Sequence, residues 1–462
     1  MKITILKFLF TSGIFLCYFT AYSQNNSFKY RRSSLSMILI ETEKFPNKDA
    51  VMKSWNNLPF PDKYNKHNIN TKSININDVK LTDADLKNAG YLKDTLNAMK
   101  IKLADAAYSK MNENALTKSN ARAVRYINNE KTLAVLMPSE KQEFQLKIEK
   151  IVKEGKIGNQ LVATWYNQSK DGKFNMDLIS ERGFYNATEM EAGIASSATK
   201  GRSILADAGE ELIKNTFVTF TKLDFYENEP IARIIRDAAK AEALKQLAGK
   251  PQILIDKTMA ALDKTYEITK EGYSLWSKTW LYQLNWNDTI ANEFYVKSWN
   301  NPTSFKESSI FNLKFVGVQY NQSLVTFKLG EKRTQEQIID LALVRNVDNA
   351  FSTLQKEYDV FKPKVPVLTQ DPITAQIGLK ESLKGGEKFE VLEMTLNEKT
   401  GKTEYVKVGK VKVDKKLIWD NRYNAGEKPE NIQLDKKGNP ISATVFKGSK
   451  KIAPGMLLKQ IK

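Results

Sequence analysis

Apolar and polar positions alternate along this chain in a pattern that separates a leader, a mixed helical and strand region, and a short-stranded tail. Ile3 to Phe19 is an almost unbroken apolar run. Ser33 to Glu41 alternates well enough for a strand, and Val51, Met52, Trp55 and Leu58 recur at helical spacing. Lys66 to Asn77 reads as loop or edge strand. Thr82, with Asp85 three residues on, opens a helix over 82–117, striped by Leu92, Leu96, Met99 and Leu103. Thr132 to Met137 is wholly apolar, as a buried strand requires, and Pro138 ends it. Phe144 to Tyr166 predicts a long amphipathic helix with Gly155 and Gly158 as its weak points. A turn at Lys170–Lys173, a strand over Phe174–Ile179, a helix capped by Thr188 and a strand over Leu212–Phe225 follow. This strand–helix–strand–helix–strand order predicts an α/β layer domain.

Residues 230–271 read as a helical hairpin inserted into that domain and broken near Gly249-Lys250-Pro251. Tyr273 to Trp286 reads as a strand, Ile290 to Val296 as a helix, and Ile310 to Phe327 as a strand pair turning at Asn321-Gln322. A helix covers Thr334 to Tyr358. The prolines at 363 and 366 make 361–371 an extended linker. Beyond it strands shorten, with candidates at Ile373–Leu379, Phe389–Leu396, Tyr405–Val413, Leu417–Trp419 and Ala443–Phe446. Gly409 suggests a β-bulge that bends its strand, as a small barrel needs. The predicted fold is a multidomain α+β or α/β chain: an α/β layer domain with an inserted helical hairpin, plus a C-terminal small β-barrel. Its regions are 1–23, 24–129 (an N-terminal strand and helical region), 130–360, the linker 361–371, and the barrel 372–462.

Charge and cysteine content place the chain. Met1-Lys2, the apolar run and Ala21-Tyr22-Ser23 form a secretory signal peptide, cut before Gln24. Export to the periplasm, the outer-membrane face or the exterior is the expectation. The apolar run is short for a membrane span, so no transmembrane segment is expected in the mature chain. Cys17 is the one cysteine and falls in the leader, so no disulfide or thiolate metal site is expected. His67 is the one histidine, which argues against zinc sites and histidine triads and for a structural residue. The net charge of +18 favours anionic partners such as lipid headgroups or anionic glycans. Nucleic acid is not expected outside the cell. The barrel region concentrates this charge, with 19 basic against 12 acidic side chains after Gln370, a net of +7.

Catalytic signatures are sparse. HExxH, GxSxG, GxxxxGK[ST] and GxGxxG are absent. Glu210-Glu211, and Glu189 with Glu191, are carboxylate pairs whose spacing suits helix ends better than a shared substrate. No catalytic, cofactor-binding or metal-binding residue is assigned. Candidate binding residues are Glu181 and Arg182, on a loop expected after a strand, and Trp276, Trp280 and Trp286. These tryptophans fit either a sugar-stacking or partner face, or a core. Lys407, Lys410 and Lys412, on the basic strand of the tail, are the candidate anion contacts. Lys384-Gly385-Gly386-Glu387 reads as a hairpin turn.

The segment 130–225, through Leu178-Ile179-Ser180-Glu181-Arg182 and Asn215-Thr216-Phe217-Val218-Thr219-Phe220, resembles the α/β domain shared by curli-secretion lipoproteins, the N-terminal domain of the translocation protein TolB, and flagellar T-ring proteins. Residues Gly378 to Val391 and Val408 to Val413 resemble the SH3-like barrel that ends the flagellar T-ring proteins. The leader and the Asn, Lys and Ile richness resemble Bacteroidetes envelope proteins. The resemblance implies a non-enzymatic periplasmic or outer-membrane-associated scaffold that binds envelope proteins. The alternatives are a secreted or surface binder of anionic glycan or lipopolysaccharide, and a carboxylate-based hydrolase.

Overall fold

The computed structural model describes residues 33–42, 45–88, 138–179, 182, 211–326, 333–396, 403–422, 434, 438, 440–448 and 451–461. Strand β1 (Ser34–Glu41) is apolar on both faces and is buried on both. It is followed by helix α1 (Lys48–Asn56), whose N-cap Asn47 side chain accepts from Ala50 N. Strands β2 (Asn65–Lys66) and β3 (Ser73–Asn75) pair in parallel with one edge of β1. Helix α2 (Asp83–Asn88) starts with the expected capping box, in which Thr82 and Asp85 bond reciprocally. Helices α3 (Pro138–Glu154) and α4 (Ile157–Trp165) come next.

Strand β4 (Thr216–Glu227) lies parallel to β1 on its other edge. Helices α5 (Asn228–Gln246) and α6 (Gln252–Thr269) form the predicted hairpin. Strand β5 (Gly272–Leu284) returns antiparallel to β4. Helix α7 (Asp288–Glu293), a π-helical turn at Phe294–Ser298, and helix α8 (Pro302–Glu307) lead to β6 (Leu313–Thr326), antiparallel to β5. Helix α9 (Gln335–Glu357) opens with a second capping box between Thr334 and Gln337. The six-stranded sheet runs β2-β1-β4-β5-β6, with β3 beside β1. The segment 33–75 therefore belongs to the same sheet as the α/β region.

Side-chain alternation sorts the two faces of this sheet. Leu35, Leu39, Phe217 and Leu281 pack on α1 and α9. Ile38, Ile40, Val218, Phe220, Trp280 and Tyr282 pack on α3, α4 and the 290–311 segment. Helices thus cover both faces, which is why β1 and β4 are buried on both sides although their sequences mix apolar residues with Ser and Thr.

The C-terminal unit is a closed barrel of six antiparallel strands: β7 (Lys364–Gln370), β8 (Ile373–Ala375), β9 (Lys388–Leu396), β10 (Thr403–Val413), β11 (Thr444–Lys447) and β12 (Leu457–Gln460), in the order β10-β11-β8-β7-β12-β9. Val365, Val367, Phe389, Val391, Val411, Val413, Phe446 and Leu458 fill it. The register of β10 on β9 shifts between Lys407 and Gly409, at the predicted bulge.

Several expectations are corrected. The stretch 361–371 is no linker, because residues 364–370 are barrel strand β7. Pro366 is tolerated there because Val367 N donates toward β12, so the position of the missing N–H faces the β8 side, where pairing begins only at Val367. Phe174–Ile179 is not a strand: Asp177–Ile179 are helical, and the Asn175 side chain accepts from Asp177 N at 3.1 Å. In place of a strand pair turning at Asn321-Gln322, Leu313–Thr326 form one long strand, since Asn321 sits in register with Ser277 of β5. The 144–166 helix starts at Pro138 and breaks at Gly155-Lys156, with Lys156 at φ 47. Glu211 to Lys214 are helical before β4. The leader 1–23, the expected strand 132–137, the 89–117 helix and the Thr188 helix lie outside the described residues.

Candidate functional site

Antiparallel pairing builds the most distinctive surface of the barrel. Phe389, Val391, Val411, Val413 and Phe446 point inward, so Lys388, Lys410, Lys412 and Lys447 point outward. The register sets Lys412 opposite Lys388 on β9 and opposite Lys447 on β11. Three exposed lysines therefore cross three neighbouring strands in one row, at a strand spacing of about 4.8 Å. Lys410 stands two residues up the same strand, opposite Glu390. Past the bulge, Lys407 Nζ lies 3.2 Å from Glu390 Oε2. Lys447 Nζ lies 2.9 Å from Asp414 Oδ2; a backbone bond from Lys416, and then this contact, hold the Asp414 carboxyl below its usual range. Lys388, Lys410 and Lys412 make no ion pair among the described residues. Like charges directly opposite across strands destabilise a sheet, so this row is held against an electrostatic cost. Val406 and Val408, on the same strand, are 48% and 45% exposed beside Lys407.

The structure brings Lys407, Lys410 and Lys412 together and adds Lys388 and Lys447, which strand alternation alone did not connect. Their registers depend on pairing partners distant in sequence. The tryptophans do not form a face. Trp280 is fully buried and stacks on Phe144 with ring centroids 6.0 Å apart. Trp286 is buried among Tyr166, Phe294 and Phe311. Trp276 is half-buried and edge-on to Tyr226. Arg182 is half-buried and helical, and its charge acts on His67. Glu181 lies outside the described residues. The Lys384–Glu387 bend folds its two glycine backbones, both at positive φ, so that Lys384 N and Gly385 N donate to the Glu387 carboxylate.

His67 is buried, donates from Nε2 to the Leu161 carbonyl at 3.0 Å, and stacks on Trp165. Burial lowers its pKa to about 4, so the ring is neutral and structural. Glu211 pairs with Lys364 at 3.6 Å. Among the described residues, no group of three or more His, Cys, Asp or Glu is placed to hold a metal ion, and no helix is long and apolar enough to cross a membrane. No protein-family model matches this chain, and no curated protein matches it.

Proposed function

We propose that this chain is a non-enzymatic scaffold of the cell envelope, exported by its leader, which docks an acidic partner protein on the lysine face of its barrel. The observation that carries this reading is the register of Lys388, Lys412 and Lys447 across β9, β10 and β11. A surface selected for fold stability alone gains by placing an acid in such a row. The overall charge of +18 supports a second reading, an anionic glycan or lipopolysaccharide.

The test compares the tagged full chain with K388A/K412A in crosslinked cells. Recovery of a defined acidic protein by the wild type, lost in the double variant and weakened by salt, supports the proposal. Recovery of polysaccharide or lipid alone moves the assignment to the second reading. Identical recovery by both chains overturns both. Thermal stability provides a second readout. K412A removes two like-charge oppositions, so it should unfold at a higher temperature, a gain of about 0.2–1 kcal/mol, while it binds more weakly. A K412A chain that is less stable than wild type would show that the row serves the fold.

A further inference from the structure

The hairpin of α5 and α6 leaves the sheet at Glu227 and returns at Gly272, and no residue of α6 is buried. At 1.5 Å per residue each helix runs for roughly 27 Å. Its base is tied. Asn228 Nδ2 donates to Glu271 O at 3.2 Å, Tyr266 Oη donates to Glu229 at 2.8 Å, and Arg236 lies 4.3 Å over the Tyr266 ring. Four cations of the hairpin are matched by acids, Arg233 with Glu229, Arg236 with Asp237, Lys240 with Asp263, and Lys270 with Glu267, while Lys257 and Lys264 make no ion pair among the described residues.

The tip differs. The two helices join through Leu247 to Pro251, with Gly249 at φ +78. Around that turn Leu244 is 51%, Ile253 66% and Leu254 44% exposed. Between Leu244 and Ile255 the chain carries Lys245 and Lys250 and no acid. Neither lysine makes an ion pair among the described residues. An end two helices wide is too small for the roughly 800 Å² that each partner buries in a standard protein interface. Three large apolar side chains flanked by two lysines outside any ion pair, with Glu242 and Asp256 set back and bonded by Gln246 and Gln252, match what an interfacial anchor needs: apolar groups for the headgroup–acyl boundary and cations for anionic headgroups.

We infer that the tip of the α5–α6 hairpin, through Leu244, Ile253, Leu254, Lys245 and Lys250, is a docking point for an anionic lipid surface. The inference does not rest on the barrel reading. It is tested by co-flotation of the full chain with vesicles of phosphatidylcholine containing phosphatidylglycerol, and with phosphatidylcholine alone. The wild type should float with the anionic vesicles, and less so at high salt. I253D/L254D should lose roughly tenfold or more of that binding, and K245E/K250E should lose it similarly. These side chains are exposed, so thermal unfolding should be unchanged, which separates lost binding from lost fold. K388A/K412A should float as the wild type does. Four results would overturn the inference. The wild type fails to float, I253D/L254D floats equally, the barrel variant alone loses binding, or the wild type is a dimer that I253D/L254D converts to a monomer.

Discussion

His67 shows how far a single side chain can be read. A lone histidine among residues poor in metal ligands suggested a structural role, and the structure places its ring 4.6 Å from that of Trp165, bonded to the Leu161 carbonyl. Burial, chiefly, holds its pKa near 4 against an ordinary 6.5, the Leu161 bond opposes the shift, and Arg182 adds to it. The sign follows from linkage. The unfolded chain takes up a proton as pH falls through 6.5, and the folded ring resists until about 4. Stability from this site is therefore complete above pH 6.5 and is lost as pH falls toward 4, by about 3 kcal/mol. H67Q keeps a donor for Leu161 and removes the titration. Urea unfolding at pH 7 and pH 5 should show a smaller loss of midpoint in H67Q than in the wild type. Equal losses would locate the acid sensitivity elsewhere. The tryptophans were less legible, because three in one expected strand read alike in sequence, and only packing against Phe144, Tyr166, Phe294 and Phe311 separates the buried Trp280 and Trp286 from Trp276.

At the scale of elements, period and capping were legible wherever one element decides its own fate. The capping box at Thr82, the helix start at Thr334, the hairpin break at Gly249 and the bulge at Gly409 are local signals. Misreadings arose where a side chain serves a distant partner. Phe174, Met176 and Leu178 alternate like a strand, yet each is partly buried against the aromatic cluster from an irregular segment that Asn175 turns into a helix. Asn321 reads as a turn residue but accepts on its carbonyl from Asn346 and on its side chain from Thr353, both on α9. Gly158 suggested a weak point in a helix. It instead marks a close approach, since a Cβ there would lie 1.9 Å from the Phe311 carbonyl oxygen. Next to it, Asn159 Nδ2 donates to Phe305 O and Ser308 O at 2.9 and 3.1 Å, locking α4 onto the C-terminal end of α8. G158A must push that backbone away, at a cost of about 1–3 kcal/mol. A thermal unfolding midpoint equal to the wild type's would show that the segment yields freely.

For the whole molecule, the junction between sheet domain and barrel decides whether the two act as one body, and nothing local in the sequence marks it. The prolines that suggested a linker instead belong to the barrel wall. Residues far apart in the chain make the contacts. Tyr64 stacks on Phe361 with ring centroids 4.7 Å apart, and its hydroxyl donates to Phe361 O and accepts from Gln355. Lys63 donates to Gln376 O and lies over Trp419, Lys380 pairs with Asp348 at 3.4 Å, and Ser352 bonds Ser382. Within this joint Glu381 is buried, accepting from Gly378 N at 2.7 Å and from Asn421 Nδ2 at 2.9 Å. Burial raises its pKa, Lys63 opposes that, and Asp62 adds to it, while the Asp348 carboxyl is raised by the same burial despite Lys380. A carboxyl with a raised folded pKa binds its proton more tightly when folded, so its contribution to stability is fullest below the unfolded value of 4.5 and is lost as pH rises through the folded one. Ionisation of Glu381 therefore works against the joint, while its hydrogen bonds hold it. E381Q keeps an acceptor oxygen and removes the charge, so it should match or exceed the wild type in thermal stability at pH 7. E381A leaves the Gly378 N–H and the Asn421 amide without their acceptor and should lose about 1–3 kcal/mol. If E381Q falls as far as E381A, the charge itself, through Lys63, holds barrel and sheet together.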